Sequence, residues 1–368
     1  MVHGTLKIGT VYRHTFSIEC TKVLLSGLAH FFKAQITLSA FAVFLYNLPF
    51  LKPTMTTSLM QPRSALAKPL DDPLRNQQTW AVDEAYAYCE TLARSHYENF
   101  PVGSVLVPKP LRKFFYSIYA FARISDDFAD EGYGGGYSEQ ERLELLDEWR
   151  EMLREAFANR ARQPVFVALA DTQAQCHLPL ELFEDLLSAF RQDVVKRRYE
   201  NFAELLDYCR RSANPIGRLI LLLFGHREEE KHQQSDAICT ALQLANHWQD
   251  VAVDLEKDRV YLPVEDLQRF GLSVEQLFAK SVSSEFQSLM KFEVERARQL
   301  FVSGKPLCTD VKGRLGLELR VVWLGGWRIL DGIAENDYDV FNRRPVIKRK
   351  DKLNILIKAL RKGAFRRS

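Results

Sequence analysis

The chain has 368 residues, of which 46% are hydrophobic and 26% are charged, a composition typical of soluble globular proteins. Its formal net charge of +3 is too small to indicate a nucleic-acid-binding protein, so no nucleic-acid partner is expected. The six cysteines form no CxxC pair and have no histidine at metal-binding spacing, which favours reduced, structural cysteines in a cytoplasmic protein.

Residues 1–78 differ in composition from the rest of the chain. Glu19 is the only acid among the first 70 residues, and the apolar run Leu38–Leu51 is shorter than the roughly 20 residues that a membrane-spanning helix needs. A secretory signal would also need a small-residue cleavage site, and none stands out. We therefore expect residues 1–78 to be a disordered leader or a wrongly assigned start, with translation beginning at Met55 or Met60. The folded domain is expected over residues 79–350.

The second predicted helix ends in a cluster of carboxylates. A helix is expected over Val82–Tyr97, and a second one leads into Tyr119–Glu131, where three aspartates fall within five residues. Four of its residues follow the spacing i, i+4, i+7 and i+11 and therefore share one helix face: Tyr119, Arg123, Asp126 and Asp130. Together with Asp127, these carboxylates would repel one another, and a divalent cation between them would offset the repulsion. A solvated acidic helix end is the alternative for a single copy of the motif.

Amphipathic helices account for the middle of the chain. Ser138–Phe157 and Leu180–Lys196 show helical periodicity, and neither an alternating strand pattern nor a GxGxxG motif is found, which argues against a dinucleotide-binding domain. Asp193 stands in a charged helix end that is expected to lie on the solvated surface. Tyr208–Phe224 is expected to form one helix, bent where Asn214-Pro215 removes a backbone hydrogen bond.

A second aspartate pair follows in Gln243–Pro263. Asp250 and Asp254 stand at i and i+4, and Gln243 with Asn246 or His247 falls on the same helical stripe. Two aspartate pairs on facing core helices form a cage of oxygen ligands, and magnesium binds such a cage together with a substrate diphosphate. The sequence therefore predicts a site for Mg²⁺, for which Mn²⁺ can substitute, with these ligands: Asp126, Asp127, Asp130, Asn246, Asp250 and Asp254.

The end of the chain is strongly basic. After an apolar helix expected over Leu315–Leu330, the residues Leu353, Leu356, Ile357 and Leu360 follow the spacing i, i+3, i+4 and i+7. This spacing predicts a basic amphipathic helix or tail over residues 351–368. Such a helix can lie on the anionic inner face of a membrane, which would make the protein a peripheral membrane protein. A solvated closing helix is the alternative of equal weight.

Four sequence blocks together resemble a known family, in the family's own order: Ala93–Pro108, Tyr119–Glu131, Tyr208–Gly225 and Leu242–Pro263. At these residues the chain resembles the squalene and phytoene synthases, which join or rearrange isoprenoid chains head to head, and the resemblance covers roughly residues 80–350. It implies an enzyme with an all-α, single-domain isoprenoid synthase fold, a helical bundle around a central apolar cavity. A non-catalytic lipid-binding or accessory subunit of the same fold is the alternative, which loss of an aspartate pair would favour.

The resemblance also assigns roles to individual residues. The implied catalytic residues are Asp126, Asp130, Asp250, Asp254 and Tyr208. The implied substrate-binding residues are Ser95, Tyr97, Tyr119, Arg123, Gln243, Asn246, Gln249 and Arg259. The ring face of Tyr208 would stabilise a nearby carbocation. A core tyrosine with a satisfied hydroxyl group is the alternative.

The residue before Asp250 separates two expected reactions. Family members that condense two prenyl diphosphates usually carry arginine there, in a pattern like NxxRD, whereas this chain has Gln249. The pattern NxWQDVAVD resembles the hopanoid branch of the family, which converts presqualene diphosphate to hydroxysqualene with magnesium and without NADPH. The alternative is condensation of two farnesyl diphosphates to presqualene diphosphate or squalene. The expected partners are thus a prenyl diphosphate and, for transfer of the product, other enzymes of the hopanoid pathway.

Overall fold

Helices account for every regular element in residues 80–95, 107–129 and 136–361, which with Phe365 are the residues described in this computed structural model. The leader expected over residues 1–78 and the candidate residues Tyr97 and Asp130 lie outside these ranges, and only the backbone of Ser95 lies within them. The described residues all belong to one compact unit, Ser39–Ser368. The all-α expectation is confirmed for them.

The helices follow one another with short connections. A 3-10 turn over Lys109–Leu111 precedes the second helix. The α-helices are α1 (Val82–Ser95), α2 (Arg112–Ala129), α3 (Glu139–Phe157), α4 (Pro164–Cys176), α5 (Leu180–Val195), α6 (Phe202–Ser212), α7 (Asn214–Leu223), α8 (Glu229–Gln249), α9 (Val251–Glu256), α10 (Val264–Arg269), α11 (Val274–Phe278), α12 (Ser284–Asp310), α13 (Gly313–Glu335) and α14 (Arg349–Leu360).

Local sequence explains where several helices begin. The Ser138 hydroxyl accepts a hydrogen bond from the Glu141 backbone and the Glu141 carboxylate accepts one in return, which starts α3. Asn201 caps α6 in the same position, accepting from the backbone of Glu204 at 2.9 Å. The helices predicted over Ser138–Phe157 and Leu180–Lys196 are therefore confirmed to within one residue at each end.

The prediction of a single bent helix over Tyr208–Phe224 is wrong. The structure has two helices there, α6 and α7, separated at Ala213. Pro215 lies in the first turn of α7, where a missing N–H group leaves no intrahelical hydrogen bond unmade. The proline therefore starts a new helix instead of bending an old one.

Packing places the two motif-bearing helices, α2 and α8, against a common neighbour. Both contact α7, while α8 packs most extensively against α12 and also contacts α13. The core around α2 is aromatic, since Phe121 stacks on Trp149 and meets the edge of Phe183. Among the described helices, none combines the length and the apolar character needed to cross a membrane. The central apolar cavity stays a prediction.

The chain returns to α8 after α13. Residues 336–348 connect α13 to α14, and α14 packs on α13 through the buried residues Ile355 and Ala359. Arg320 on α13 donates from Nε to the Ala359 carbonyl at 2.7 Å, which fixes the end of α14. The basic helix expected near the C-terminus is thus present and packed on one side.

Candidate active site

The first aspartate pair lies in the last turn of α2. Asp126 and Asp127 follow Arg123 by three and four residues, as a helix face requires. Arg123 Nη1 donates to Asp126 Oδ2 at 3.1 Å, Nε donates to Asp127 Oδ2 at 3.2 Å, and Nη2 contacts Asp127 Oδ1. The guanidinium group therefore offsets the repulsion between the two carboxylates in this structure.

Tyr119 precedes Arg123 by one turn of α2. Its side chain is buried, and burial raises its pKa, so the phenol stays protonated at neutral pH. The predicted helical face of Tyr119, Arg123 and Asp126 is confirmed by the continuous helix from Arg112 to Ala129. Asp130, the next predicted member of this face, lies just beyond the described part of α2.

The second aspartate pair spans a joint between two helices. Asp250 separates α8 from α9, with φ −105° and ψ 13°, so the unbroken helix implied by the stripe is interrupted at this residue. The helical hydrogen bonds continue across the joint, since Asp250 N donates to Asn246 O and Asp254 N to Asp250 O, both at 2.9 Å. The predicted one-turn spacing of Asn246, Asp250 and Asp254 is therefore preserved.

Burial leaves one oxygen of each carboxylate in the second pair without a hydrogen bond from the described residues. Asp250 and Asp254 are both buried, and within the described residues the Oδ2 atom of each makes no hydrogen bond. Burial raises the pKa of both carboxyl groups, and the neighbouring charge of Asp250 raises that of Asp254 further. Buried carboxylate oxygens without partners fit a cation, because a positive charge would stabilise their ionised form.

Two residues of the 336–348 connection contact the second motif. Arg344 Nε donates to Asp250 Oδ1 at 2.5 Å, and the Pro345 carbonyl accepts a hydrogen bond from Gln249 Nε2, also at 2.5 Å. Gln249 is buried, so its amide group is held between α8 and this connection. Sequence reasoning missed Arg344, because it treated the basic C-terminal stretch only as surface. Gln249 was expected to bind substrate, and that role stays a prediction.

Four aromatic rings lie together beside the second motif, and we call them the aromatic wall: Tyr199, Tyr208, His247 and Tyr261. The His247 ring stacks on Tyr261, with centroids 3.7 Å apart, and Tyr208 lies 6.1 Å from Tyr261 and 5.5 Å from Tyr199. Burial lowers the pKa of His247 to about 3, so its ring is neutral. Gln243 Nε2 lies 3.3 Å from His247 Nε2, which brings this predicted residue to the same wall.

Tyr208 is bonded to a carboxyl group that was expected on the surface. Its hydroxyl donates to Asp193 Oδ2 at 3.2 Å, as expected for a core tyrosine with a satisfied hydroxyl, while its role towards a carbocation stays a prediction. The surface expectation for Asp193 is wrong, since the side chain is buried between α5, Tyr208 and Arg259. Burial raises the pKa of Asp193 to about 7, although the charge of Arg259 and the bond from Tyr208 lower it in part.

Arg259 links this carboxyl group to the second motif. Its Nη2 donates to the Asp193 carbonyl at 3.3 Å, and its charge lowers the pKa of Asp254. Arg259 was predicted from the sequence as a substrate-binding residue, and that role stays a prediction. In the structure Arg259 is buried, and its charge lowers the pKa of both Asp193 and Asp254.

The predicted aspartate ligands within the described residues lie in two separate pairs, Asp126 with Asp127 and Asp250 with Asp254. No three Asp, Glu, His or Cys side chains come close enough there to share an ion. The donors are nevertheless oxygen atoms, which suit magnesium or manganese, and the unmatched oxygens of Asp250 and Asp254 fit such an ion.

Comparison with known proteins adds an independent finding. The family model for squalene/phytoene synthase matches residues 93–351 of the chain. The 15-cis-phytoene synthase of Synechocystis sp. is 31% identical over 319 residues, which is 82% of this chain and 92% of that protein. The hydroxysqualene synthase of Rhodopseudomonas palustris is 36% identical over 242 residues, which is 65% of this chain and 80% of that protein.

A solved structure is also similar to this chain. The squalene synthase HpnC from Alicyclobacillus acidocaldarius is 43% identical and superposes with a TM-score of 0.66, covering 70% of this chain and 95% of that chain.

Proposed function

The chain belongs to the squalene/phytoene synthase family and is an isoprenoid synthase enzyme, and from this premise we propose that it converts presqualene diphosphate to hydroxysqualene with release of diphosphate. The observation that carries the proposal is the neutral Gln249 before Asp250. Its amide nitrogen is engaged by the Pro345 carbonyl, so this position offers no charge to a second diphosphate. The identity of 36% to a hydroxysqualene synthase supports the same reaction.

The proposed metal ligands are all oxygen donors: Asp126, Asp127, Asp130, Asn246, Asp250 and Asp254. Bound to them, magnesium supplies positive charge that stabilises the departing diphosphate. Two arginines also supply positive charge near the departing diphosphate. Arg123 lies against the first aspartate pair, and Arg344 lies against Asp250. A planar guanidinium group carries a permanent charge and several N–H donors, so both can also bind phosphate oxygens.

The aromatic wall has a role once the carbon–oxygen bond breaks. Diphosphate leaves with the bonding electron pair, and the carbocation left behind rearranges within the substrate. The ring faces of Tyr208 and Tyr261 attract positive charge, and the neutral His247 does not repel it. Water then adds to the rearranged cation and loses a proton, which gives the hydroxyl group of the product. No hydride enters this sequence, so NADPH is not expected to be required.

Condensation of two prenyl diphosphates is the second candidate, and one contact favours it. Arg344 places a fixed positive charge on Asp250 from a different part of the chain. That charge could hold a second diphosphate even though position 249 is neutral. The 15-cis-phytoene synthase relative, 31% identical over most of this chain, supports the same candidate.

Product analysis tests the two candidates against each other. The purified chain is incubated with Mg²⁺ and either presqualene diphosphate or farnesyl diphosphate, with and without NADPH, and the lipid products are identified by mass spectrometry. We expect hydroxysqualene from presqualene diphosphate without NADPH, and no consumption of farnesyl diphosphate. Removing Mg²⁺ with a chelator should stop the reaction, and Mn²⁺ should restore it. Accumulation of presqualene diphosphate from farnesyl diphosphate would contradict the proposal, as would squalene formed only with NADPH.

A further inference from the structure

The outer face of α14 exposes large apolar side chains. Leu353, Ile357 and Leu360 are 45%, 38% and 51% exposed, and their spacing of i, i+4 and i+7 aligns them along one face. Ile355 and Ala359 are buried and lie on the opposite face, where α14 packs on α13. Because that inner face is packed, the three apolar side chains are turned away from the protein.

The chain just before α14 carries a further exposed apolar side chain. Val346 is 51% exposed and lies three residues before the start of the helix. The other large hydrophobic residues exposed in the described part of the chain are separated from one another in sequence, at Val82, Tyr137, Val195, Phe278 and Val302. We define Val346, Leu353, Ile357 and Leu360 as the apolar stripe.

Positive charge surrounds the apolar stripe. Residues 343–361 contain eight Lys and Arg residues and a single acid, Asp351. Asp351 is buried and bonded to Arg328 at 3.1 Å, so its charge is matched within the protein. At 100° per residue, Arg349 lies on one side of the stripe and Lys350 and Arg361 lie on the other. The surface is thus apolar along its centre and cationic along both edges.

We propose that α14 and Val346 form a docking surface for an anionic lipid bilayer. A row of aliphatic side chains edged by Lys and Arg matches the boundary of such a bilayer, where anionic headgroups lie above acyl chains. The excess of cations favours this occupant over a second copy of the chain, whose identical surface would carry the same sign of charge. The inference does not rest on which reaction the enzyme performs, since none of the stripe residues belongs to the aspartate motifs.

The docking surface is also next in the chain to residues that contact the second aspartate motif. Arg344 and Pro345, which contact Asp250 and Gln249, directly precede Val346 in the chain. A bilayer bound at Val346 would therefore lie one residue along the chain from a contact of the second motif. An enzyme whose substrate dissolves in lipid would receive it at this face.

Vesicle flotation with the full chain tests the docking surface. Wild-type protein is mixed with vesicles of phosphatidylcholine containing phosphatidylglycerol, or of phosphatidylcholine alone, at low and at high salt. We expect flotation with the anionic vesicles, weakened about tenfold by neutral lipid or by high salt. The double variant Leu353→Glu/Ile357→Glu should lose binding. Val302→Glu, which places the same change at an isolated exposed residue on α12, should bind as wild type.

Further measurements separate loss of docking from loss of structure. Circular dichroism, thermal unfolding and turnover of detergent-dispersed substrate should be unchanged in the double variant. The charge variant Arg349→Gln/Lys350→Gln should weaken binding to anionic vesicles without touching the stripe. Equal flotation with neutral vesicles, or wild-type flotation of the stripe variant, would overturn the proposal. A dimer that Leu353→Glu converts to monomer, with no vesicle binding by wild type, would assign the surface to a second copy instead.

Discussion

Asp250 and Asp254 differ in what surrounds them although they stand one helical turn apart. Arg344 pairs with one oxygen of Asp250, whereas the nearest charges to Asp254 include Asp250 itself and Arg259. Asp254 thus has less positive charge of the protein directly bound to it. It is the residue at which removal of a carboxylate should report most directly on cation binding.

We expect Asp254→Asn to lower turnover at least about hundredfold, because a lost ligand removes several kcal/mol of transition-state stabilisation. The helical circular dichroism should be retained, since asparagine has the same shape. Asp258→Asn is the matched control. Asp258 is exposed, and its φ of 55° is a conformation that asparagine adopts readily. Steady-state release of diphosphate measures both variants, and near wild-type release by Asp254→Asn would refute its proposed role.

Gln249→Arg is expected to impair hydroxysqualene formation. A second cation beside Arg344 would compete for Asp250 and draw the diphosphate away from the other ligands. The variant need not gain condensing activity, because a second substrate pocket would also be required. Turnover of presqualene diphosphate and of farnesyl diphosphate should be measured side by side for the variant and wild type. An unchanged rate with presqualene diphosphate would show that charge at this position has no effect.

Spacing in the sequence was enough to predict that Asp250 and Asp254 are neighbours, because residues one turn apart on a helix necessarily lie close together. Arg344 could not be found this way, since 94 residues separate it from Asp250. Asp193 was misplaced for a related reason. Its sequence neighbours are cations typical of a surface, whereas its environment is set by Tyr208 and Arg259 from other segments.

At the scale of helices, the close contact at the crossing of α8, α12 and α13 depends on a glycine, which has no side chain. A methyl group at Gly326 on α13 would lie 2.6 Å from Leu242 Cδ2 of α8 and would also overlap the ring of Phe301 on α12. The neighbouring Gly325 has more room, since its nearest atom would be Ile347 Cδ1 at 3.8 Å. Adjacent glycines of one helix thus face a tight and an open environment.

These glycines give opposite expectations for the same substitution. Gly326→Ala should lower the free energy of unfolding by about 1–3 kcal/mol, because a methyl group overpacks the crossing. Gly325→Ala should leave it unchanged or raise it by up to about 1 kcal/mol, since alanine favours helix over glycine. Urea unfolding followed by circular dichroism measures both. Equal effects of the two substitutions would show that the helices separate freely at this crossing.

The positions of helices were more predictable than the breaks between them. Periodicity and capping residues defined α3 and α5 closely, because both signals are local. The breaks at Ala213 and Asp250 were not anticipated. At Ala213 the sequence offers a proline, whose effect depends on whether a helix starts or continues there. At Asp250 no local breaker is present, so packing of the surrounding helices determines the joint.

For the whole molecule, the buried Asp193 predicts a dependence of stability on pH. Its pKa is raised from 3.8 to about 7 on folding, so the folded protein retains a proton that the unfolded chain releases within this interval. The contribution of Asp193 to the free energy of unfolding is therefore fully present below pH 4 and is lost as the pH rises to about 7. The groups that face this carboxyl and affect its pKa are Arg259, Tyr208, Arg211 and Arg197.

Asp193→Asn isolates this dependence. Asparagine stays neutral and can still accept the hydrogen bond from Tyr208. Relative to wild type, the variant should gain about 3 kcal/mol of stability between pH 5 and pH 8, because the stability of wild type falls by about 1.4 kcal/mol for each of the roughly two pH units between pH 5 and the folded pKa. Glu293, whose pKa burial raises to about 8, contributes equally to both proteins and cancels in the comparison. A difference in urea stability that is constant over this pH range would contradict the assignment.

The contacts that Arg344 and Pro345 make with α8 have a consequence for the order of events during synthesis. The ribosome adds 94 residues between Asp250 and Arg344, which at about 5–20 residues per second takes roughly 5 to 20 s. Throughout that time the second aspartate motif exists without the guanidinium group of Arg344 and without the carbonyl that holds Gln249. A nascent chain therefore cannot complete this motif until translation is nearly finished, and a premature stop before Arg344 would release a chain in which neither contact can form.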